Sequence, residues 1–335
     1  MSITAKDLAR LLNLSAAAVS MALHGKPGVS TQTRKMVIEA AERYGYDFTK
    51  ITPQKRNSSR HIVFIIYKRH GSVVGETPFF SELSEGITTA CEEEQYKLQV
   101  AYVHKDEEVK KQVEDIVYSD CAGIVLLGTE MQMEDLQPFL DLPIPLVLLD
   151  AYFDEVPCDC VLINNSQGAA MATNYLINRT KKQPGYLKSS YGISNFEERA
   201  YGFYKAVRHH GLSTSNSIVH EVAPSIEGAF SDMMEVIARG EKLASCYFAD
   251  NDWIAIGAIR AFKKQGICVP KDIAVIGFDN VPMASYIEPS LTTVHVPKKY
   301  MGEMAVKRLI DVIGSGNQES VKIEILTKLK KRQSL

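Results

Sequence analysis

The first 46 residues constrain the chain most, because they contain three helix starts in quick succession. Thr4, Ser15 and Ser30 each stand just before a stretch whose apolar residues recur with helical spacing. A hydroxyl at such a position can cap the free backbone N–H groups of a helix. The pattern predicts helices over residues 4–12, 15–23 and 30–44. Only two residues separate the first two, which favours a steep crossing, as in a helix-turn-helix.

These three helices are expected to close a small core of their own. The apolar positions predicted to face one another are Leu8, Leu11, Leu12, Val19, Ala22, Leu23, Met36, Val37, Ala40 and Ala41. On the second helix the outward positions near the N-terminus are small or slender: Ala16, Ala17, Ser20 and Met21. The wall of a DNA major groove can approach such a surface closely. A plain three-helix scaffold with an interaction face is the alternative.

The distribution of charge favours DNA binding. Residues 1–61 hold ten Lys and Arg against four Asp and Glu, a net charge of +6. The whole chain has 38 basic and 40 acidic residues, so residues 62–335 hold 28 against 36 and are acidic. A basic head on an acidic body is the footprint expected of a phosphate-binding module.

Composition excludes several other classes of protein. No apolar run approaches the ~20 residues of a membrane-spanning helix, and the chain does not open on a secretory leader. We therefore expect a cytoplasmic protein without a membrane partner. The six cysteines are scattered, and Cys158 and Cys160 alone do not supply a zinc ligand set. We expect no metal and no cofactor.

Beyond residue 61, predicted strands and helices alternate. Strands are predicted at 62–67, 98–103, 123–127 and 146–149, with helices at 80–94 and 109–118. A second set follows, with strands at 161–163, 185–189, 219–222, 244–248 and 273–278 and helices at 168–178, 197–210, 228–238 and 253–265. Residues 321–335 have strand-like alternation and then become basic. The fold expected is a small all-α helix-turn-helix head and an α/β body of two doubly wound lobes, with a cleft between them.

Polar and aromatic residues collect after the carboxyl ends of these strands, where open α/β sheets bind ligands. Aromatic rings can stack on a sugar or a base, and carboxylates and a guanidinium can hydrogen-bond hydroxyls. Singly, such residues also suit purely structural roles: Phe79 in the core, Asp252 as a helix cap, Arg199 in a surface ion pair. Taken together, they predict an effector site formed by Phe79, Phe80, Asp150, Asn195, Arg199, Asn251, Asp252, Trp253 and Asp279.

No catalytic set accompanies this cleft in the sequence. A Walker-type loop, a dinucleotide-binding glycine fingerprint and a Gly-x-Ser-x-Gly elbow are all missing. The sequence therefore predicts a protein that is not an enzyme. A secreted solute-binding protein is a rival hypothesis that requires a leader, and a sugar-metabolising enzyme with an added head requires catalytic residues.

The head resembles that of the LacI/GalR (lactose-repressor/galactose-repressor) family of bacterial transcriptional regulators. Residues 4–9, 14–15, 19–20, 25–30, 33–34 and 44–46 carry this resemblance in order and spacing. It implies a homodimer on a palindromic double-stranded operator, with DNA contacts from Thr4, Ser15, Ala16, Ala17, Ser20, Met21, His24, Ser30, Thr33, Arg34 and Lys55. The family usually has Thr, Arg and Asn where this chain has Ala18, Met21 and His24, so no operator sequence is carried over.

The linker and body also resemble this family. Residues 78–81, 161–168, 199–202, 251–252, 269–279 and 291–294 match its periplasmic-binding-protein-like effector domain. The resemblance implies a helix-turn-helix domain over residues 1–46, a hinge linker over 47–61 and an effector-binding and dimerisation domain over 62–335. In the hinge, Lys55 replaces the family's minor-groove leucine, so a plain flexible linker is the alternative.

The function implied is a regulator, in the first instance a repressor, of sugar or carbohydrate utilisation genes, controlled by a sugar bound between the lobes. A member controlled by a partner protein or by a non-sugar metabolite such as a nucleobase is the alternative.

Overall fold

The computed structural model describes residues 3–23, 28–46, 60–71, 73–75, 78–105, 108–117, 121–315 and 319–335. The helices are α1 (Ala5–Leu11), α2 (Ala16–Leu23), α3 (Thr31–Arg43), α4 (Phe79–Glu93), α5 (Val109–Val117), α6 (Met133–Leu140), α7 (Asn165–Thr180), α8 (Ser194–His209), α9 (Ile226–Ala238), α10 (Asp252–Lys264) and α11 (Lys298–Ser315). The strands are β1 (His61–Lys68), β2 (Lys97–His104), β3 (Gly123–Leu127), β4 (Leu146–Leu149), β5 (Asp159–Ile163), β6 (Gly185–Ser189), β7 (Val219–Val222), β8 (Cys246–Ala249), β9 (Ala274–Asp279), β10 (Thr292–His295), β11 (Lys322–Ile325) and β12 (Lys328–Lys330).

The three helices of the head begin at the predicted caps. Thr4 forms a capping box with Asp7, in which each residue's side chain accepts a hydrogen bond from the other's backbone N–H. Ser15 Oγ accepts from the N–H of Ala18 at 3.0 Å, and Ser30 Oγ accepts from that of Thr33 at 3.1 Å. These bonds fix where each helix starts, as the sequence predicts.

The core of the head contains most of the predicted residues, but not Leu11 and Met36. Leu11 is 50% exposed and Met36 is 40% exposed, so their assignment to the core was wrong. Helix α1 ends at Leu11, and beyond it Leu12 packs against the core as predicted and Leu14, which was not predicted, joins it. On α3, the neighbouring Val37 takes the buried position.

The described residues from 60 onward contain two six-stranded sheets. Sheet 1 has the order β11-β5-β4-β3-β1-β2, with every neighbouring pair parallel. Sheet 2 has the order β12-β10-β9-β8-β6-β7 and is parallel except for the antiparallel pair β10 and β12. The central strands are continuous apolar runs, such as the fully buried β3, because helices cover both faces of a parallel sheet. Sheet 1 with its helices is lobe 1, and sheet 2 with its helices is lobe 2.

The predicted division between the lobes was wrong at one strand. Residues 161–163 were expected to open the second set, but β5 pairs with β4 and β11 in sheet 1. The chain leaves lobe 1 only after this strand, where Asn164 caps α7 and α7 packs on sheet 2. A short strand carries no sequence mark of the sheet that it joins.

Within the described residues, the chain passes between the lobes at three places: between β5 and α7, between β10 and α11, and between β11 and β12. The predicted tail strand is therefore two strands, one in each sheet. Helix α11, which the sequence analysis did not predict, returns to pack against α4 in lobe 1. Gly86 and Gly302 allow this contact, since a Cβ on Gly86 would lie 1.9 Å from the carbonyl oxygen of Lys299, and one on Gly302 would lie 2.3 Å from that of Leu83.

The buried side chains form a continuous core through both lobes, with separate clusters on the outer faces. The continuous cluster joins α4 and α11 of lobe 1 to α7 and α8 of lobe 2 through the inner faces of both sheets. A second cluster packs under α9 and α10, and a third lies on the other face of sheet 1. The carboxyl ends of the parallel strands of the two lobes face one another across the space between them, where the polar residues lie.

Candidate functional site: the cleft between the lobes

Seven of the nine predicted effector residues line one cavity between the lobes. They are Phe79, Phe80, Asp150, Asn195, Arg199, Asn251 and Asp279. The cavity holds about 30 Å³, room for about one water molecule. Binding sites for small molecules are typically about 300–1,000 Å³, so the cleft has to open before it admits a sugar-sized ligand.

Arg199 of α8 is held in place on every side of its guanidinium. Its Nε donates to Asn165 Oδ1 at 2.9 Å, and its Nη1 donates to the carbonyl oxygen of Asp250. Its Nη2 lies 3.2 Å from Asp279 Oδ1, and its Cζ lies 3.8 Å from the centre of the Phe278 ring. Arg199 therefore belongs to a buried ion pair, not to a surface one.

Asp150 directly follows β4 on the opposite wall and keeps one carboxylate oxygen unpaired. Its Oδ2 accepts from the Thr129 hydroxyl at 2.7 Å, whereas its buried Oδ1 has no hydrogen-bond partner among the described residues. An unpaired buried acceptor costs roughly 1–3 kcal/mol. A ligand hydroxyl or N–H group that reaches Oδ1 would recover that cost.

The cleft and its surroundings concentrate buried carboxyl groups. Burial raises the pKa of Asp150 to about 7, against the lowering effects of the Thr129 hydroxyl and Arg199. Burial also raises the pKa of Asp250 to about 6, and burial together with nearby Asp279 raises that of Asp252 to about 8. The pKa of Asp279 is raised by burial as well, although Arg199 and Lys298 oppose the shift.

Two aspartates of the cleft have a backbone conformation that L-residues rarely adopt. Asp150 has a φ of +62° and Asp279 a φ of +107°, and Asn280 follows at +53°. Such conformations cost of order 1–3 kcal/mol each and cluster at functional sites. The strand ends thus carry strain where the ligand-facing groups are placed.

The remaining lining residues complete a partly aromatic wall. Phe79 and Phe80 contact each other edge to face with ring centres 5.1 Å apart, and Phe79 also belongs to the core, the structural role that its sequence position suggested. Asn195 donates from Nδ2 to the carbonyl oxygen of Asp150 at 3.3 Å, which links the two lobes. Asn251 Oδ1 caps α10 by accepting from the N–H of Ile254 at 2.8 Å.

Asp252 and Trp253 do not line the cavity. Asp252 is buried and accepts from the N–H of Val281 at 2.8 Å and from the Thr293 hydroxyl, so it ties the turn after β9 and strand β10 to α10. Trp253 packs in the apolar cluster under α10. Both residues adjoin Asn251 in sequence, but the helix turns their side chains away from the cleft.

Four residues of the lining were not predicted from the sequence: Val73, Thr129, Ile193 and Phe196. Thr129 follows β3 at its carboxyl end, so the rule that pointed to Asp150 could also have found it. The three apolar residues come from loops and a helix start, and they had no polar signal to mark them.

The second candidate site is the outer face of α2 in the head. Thr4, Ser15, Ala16, Ala17 and Ser30 are exposed, and Ser20, Met21 and Thr33 are partly exposed. Arg34 is only 6% exposed, so it does not present its side chain to solvent as a DNA-contacting residue should. His24 and Lys55 lie outside the residues that the structure describes.

Met21 packs beside Gly28 in the loop after α2. A Cβ on Gly28 would lie 3.0 Å from Met21 Sδ, and the φ of Gly28 is +116°, so the turn requires glycine.

In the described part of the chain, no helix is both long and apolar enough to cross a membrane.

Comparison with known proteins gives one consistent picture. A periplasmic binding protein-like domain family matches residues 173–335. The HTH-type transcriptional regulator GalS of Salmonella typhimurium is 30% identical over 308 residues, which cover 91% of this chain and 88% of GalS. The HTH-type transcriptional repressor PurR of Pasteurella multocida is 28% identical over 335 residues, 99% of this chain and 98% of PurR.

The fold is also similar to that of solved structures. A complex of the transcriptional regulator CelR with cellobiose superposes with a TM-score of 0.74 at 23% identity, covering 99% of each chain. At this identity the likeness establishes the fold. It matches the observed arrangement of a helical head and two α/β lobes.

Proposed function

Since the chain belongs to the LacI/GalR family of transcriptional regulators, we propose that it represses sugar or carbohydrate utilisation genes under the control of a sugar bound between its lobes. The protein is a DNA-binding regulator rather than an enzyme, as its relatives are. We keep the domain division of the sequence: residues 1–46 bind DNA, 47–61 form the hinge, and 62–335 bind the effector and dimerise.

The observation that carries the proposal is the chemistry of the cleft. The Arg199–Asp279 ion pair lies on one wall and the unpaired Asp150 Oδ1 on the other, beside the Phe79 and Phe80 rings. A sugar ring offers hydroxyls to charged groups and an apolar face to aromatic rings. The CelR structure, whose ligand is cellobiose, supports a sugar in this fold.

Lobe movement links the cleft to DNA in this proposal. The cavity is too small for a sugar as it stands, so binding must change the separation of the lobes. All three chain crossings lie between the lobes, and a change there alters the position of lobe 1, where β1 follows the hinge. A ligand that prefers one lobe arrangement shifts the population toward it and alters how two heads fit one palindromic operator.

Dimerisation in this proposal uses exposed apolar side chains. Met283 and Tyr286 lie in the turn after β9, and Tyr286 is 86% exposed. Val100 and Tyr102 project from β2, the edge strand of sheet 1. Exposed aromatic and apolar groups on both lobes are typical of a surface that a second copy covers.

A nucleobase effector is the second candidate. The similarity to PurR spans nearly the whole chain, and aromatic rings stack on bases as well as on sugars. The two classes of ligand differ in the donors that they present to Asp150 and Asp279, since a sugar offers only hydroxyls whereas a base offers ring N–H and amino groups.

A thermal-shift screen tests the proposal on the full chain. The panel contains mono- and disaccharides, cellobiose among them, and nucleobases at equal concentration. A ligand at one hundred times its Kd stabilises the folded protein by about 2.7 kcal/mol, a clear rise in Tm. We expect a sugar to raise Tm. A rise with a nucleobase alone supports the second candidate, and no rise with any compound contradicts both.

A further inference from the structure

A buried glutamate organises the segment of lobe 1 that reaches lobe 2. This segment, the strap, consists of residues 69–71 and 73–75, directly after β1. Glu130 Oε2 accepts hydrogen bonds from the backbone N–H groups of Arg69, His70 and Gly71 at 3.0, 3.2 and 2.8 Å. Glu130 Oε1 accepts from those of Val73 and Val74 at 2.8 and 3.0 Å. One carboxylate therefore satisfies five backbone donors of a segment that has no regular structure.

The charge of Glu130 is suited to this task. Burial alone would raise the pKa of Glu130, but the backbone N–H groups of Val74, Val73, Gly71 and His70 outweigh it, and the pKa is lowered from its usual 4.5. The carboxylate stays ionised at neutral pH, and hydrogen bonds to an ionised acceptor are about twice as strong as neutral ones. The neutral amide of glutamine cannot replace them, because its NH₂ group would face backbone N–H groups.

The side chains of His70 and Val73 join the strap to lobe 2. The His70 ring stacks on Tyr191 with ring centres 4.9 Å apart and planes at 26°. Val73 forms a small buried cluster with Ile193 and Phe196. Tyr191, Ile193 and Phe196 all belong to lobe 2, in the loop after β6 and the first turn of α8. Val73, Ile193 and Phe196 also line the cavity, so this contact forms part of its wall.

The residue before Glu130 acts on the ligand-facing carboxylate. Thr129 donates to Asp150 Oδ2, while Glu130 holds the strap. Thr129 and Glu130, which follow β3 and Gly128, therefore position two different parts of the cleft. Thr129 positions the ligand-facing carboxylate of Asp150, and Glu130 positions the strap that closes over the ligand.

We propose that the strap is the latch that holds the two lobes closed, and that Glu130 is the positioning residue that shapes it. Loss of the hydrogen bonds between Glu130 and the strap frees His70 and Val73 from lobe 2 and allows the cleft to open. This inference deepens the proposed function, because the latch sets how readily an effector enters, but the closure itself requires no particular effector.

Hydrogen exchange measured by mass spectrometry on the ligand-free full chain tests the latch. The peptides of interest cover the strap and residues 190–197 of lobe 2. In Glu130→Gln, we expect exchange to accelerate by roughly tenfold or more in both, because a hydrogen-bonded charge that anchors a buried segment is lost. Peptides from β8 and α10 should keep their protection, which shows that the lobes remain folded.

Glu134→Gln is the matched control. Glu134 is exposed and pairs with Arg69 of the strap at 3.3 Å, but it does not touch the backbone donors. This variant should exchange like the parent protein in both peptides. Faster exchange of the strap alone in Glu130→Gln, with residues 190–197 unchanged, overturns the proposal, because Glu130 would then order only its own loop.

A second variant approaches the latch from lobe 2 in case Glu130→Gln does not fold. Tyr191→Ser removes the ring on which His70 stacks and leaves the five backbone donors of Glu130 in place. We expect residues 190–197 to exchange several-fold faster while the Glu130-bound amides stay protected. Unchanged exchange in residues 190–197 contradicts the latch. Because no ligand is used, failure here leaves the sugar proposal standing, and a negative ligand screen leaves the latch standing.

Discussion

At the scale of single residues, the cleft and its surroundings hold more buried acid than buried base. Asp150, Asp250, Asp252 and Asp279 are all buried, and in the described part of the chain the buried cations near them are Arg199 and Lys298. Lys298 stands where the chain returns to lobe 1, with its Nζ 3.2 Å from Glu82 Oε1. This excess makes protonation of the carboxyl groups part of the energetics of the folded state.

Asp150 gives a prediction about pH. Its pKa is about 7 in the folded chain and 3.8 ordinarily, because burial penalises the charge. Between pH 4 and 7 the folded state therefore holds a proton that the unfolded chain has released, so the free energy of unfolding contributed by Asp150 falls as pH rises. Below about pH 4 both states are protonated and the contribution is fully present.

Asp150→Asn should remove this dependence while keeping the shape of the side chain, and asparagine tolerates the φ of +62°. Urea unfolding at pH 5 and pH 8 measures it. We expect the parent protein to lose more free energy of unfolding between these two pH values than the variant does. Equal losses would show that Asp150 is ionised at both pH values.

At the scale of elements, helix α2 is the surface expected to enter the DNA groove. Its sequence has no charged side chain, and Ala16 and Ala17 are exposed on its first turn. A surface without charge or bulk can approach base edges closely, whereas a carboxylate there would face phosphates. Like charges across an interface cost several kcal/mol.

Ala17→Glu should therefore weaken binding to operator DNA by at least about a hundredfold. The DNA is a duplex selected from a random library with the parent protein, and affinity is measured by gel shift. Met36→Glu is the control, since it adds the same charge to an exposed position on α3. It should cost less than about tenfold, the effect of one charge on phosphate attraction. Equal losses in the two variants contradict the assignment of α2 to the groove.

Elements were predictable from sequence where a local pattern decides them. The caps at Thr4, Ser15 and Ser30 and the buried runs of β1 and β3 depend on neighbouring residues, and they occur where predicted. Sheet membership depends on contacts far along the chain, which is why β5 was placed in the wrong lobe. The prediction that Leu11 is buried failed for a related reason. The core of the head takes side chains from beyond the end of α1, and Leu11 itself stays exposed.

The candidate site was predictable to a similar extent. Strand ends supplied Asp150, Asn251 and Asp279, because the carboxyl ends of parallel strands meet at one edge. Sequence could not separate Asn251 from Asp252, since only the direction of the first turn of α10 decides which side chain faces the cleft. The strap was invisible in sequence, because its order comes from the distant carboxylate of Glu130.

At the scale of the whole molecule, the proposed dimer gives a prediction. Tyr286 is the most exposed large apolar side chain in the described part of the chain and lies on the α9–α10 side of sheet 2. Tyr286→Glu should shift the protein from dimer to monomer at micromolar concentration, because a buried charge at an interface costs several kcal/mol. Sedimentation velocity measures the shift.

The matched control is Tyr201→Glu. Tyr201 is also exposed, but it lies on α8, which covers the other face of sheet 2. This variant should remain a dimer. If both variants stay dimeric, the surface around Tyr286 is not the interface.

A ligand in the cleft should change the affinity of the head for DNA. The most direct measurement is fluorescence anisotropy of the selected operator duplex, titrated with protein in the presence and absence of the sugar that raises Tm. The parent protein is compared with Asp279→Asn, in which asparagine tolerates the positive φ but leaves Arg199 without its charged partner. Asp154→Asn, an exposed change of the same kind, is the control.

We predict that the sugar changes the operator Kd of the parent protein and of Asp154→Asn by roughly 5- to 150-fold, the usual range of allosteric coupling. Asp279→Asn should bind the operator with the parent affinity in the absence of sugar and should show no change when sugar is added. If Asp279→Asn responds to the sugar as the parent protein does, the effector acts from a site other than the cleft, and the proposed control by a ligand between the lobes is wrong.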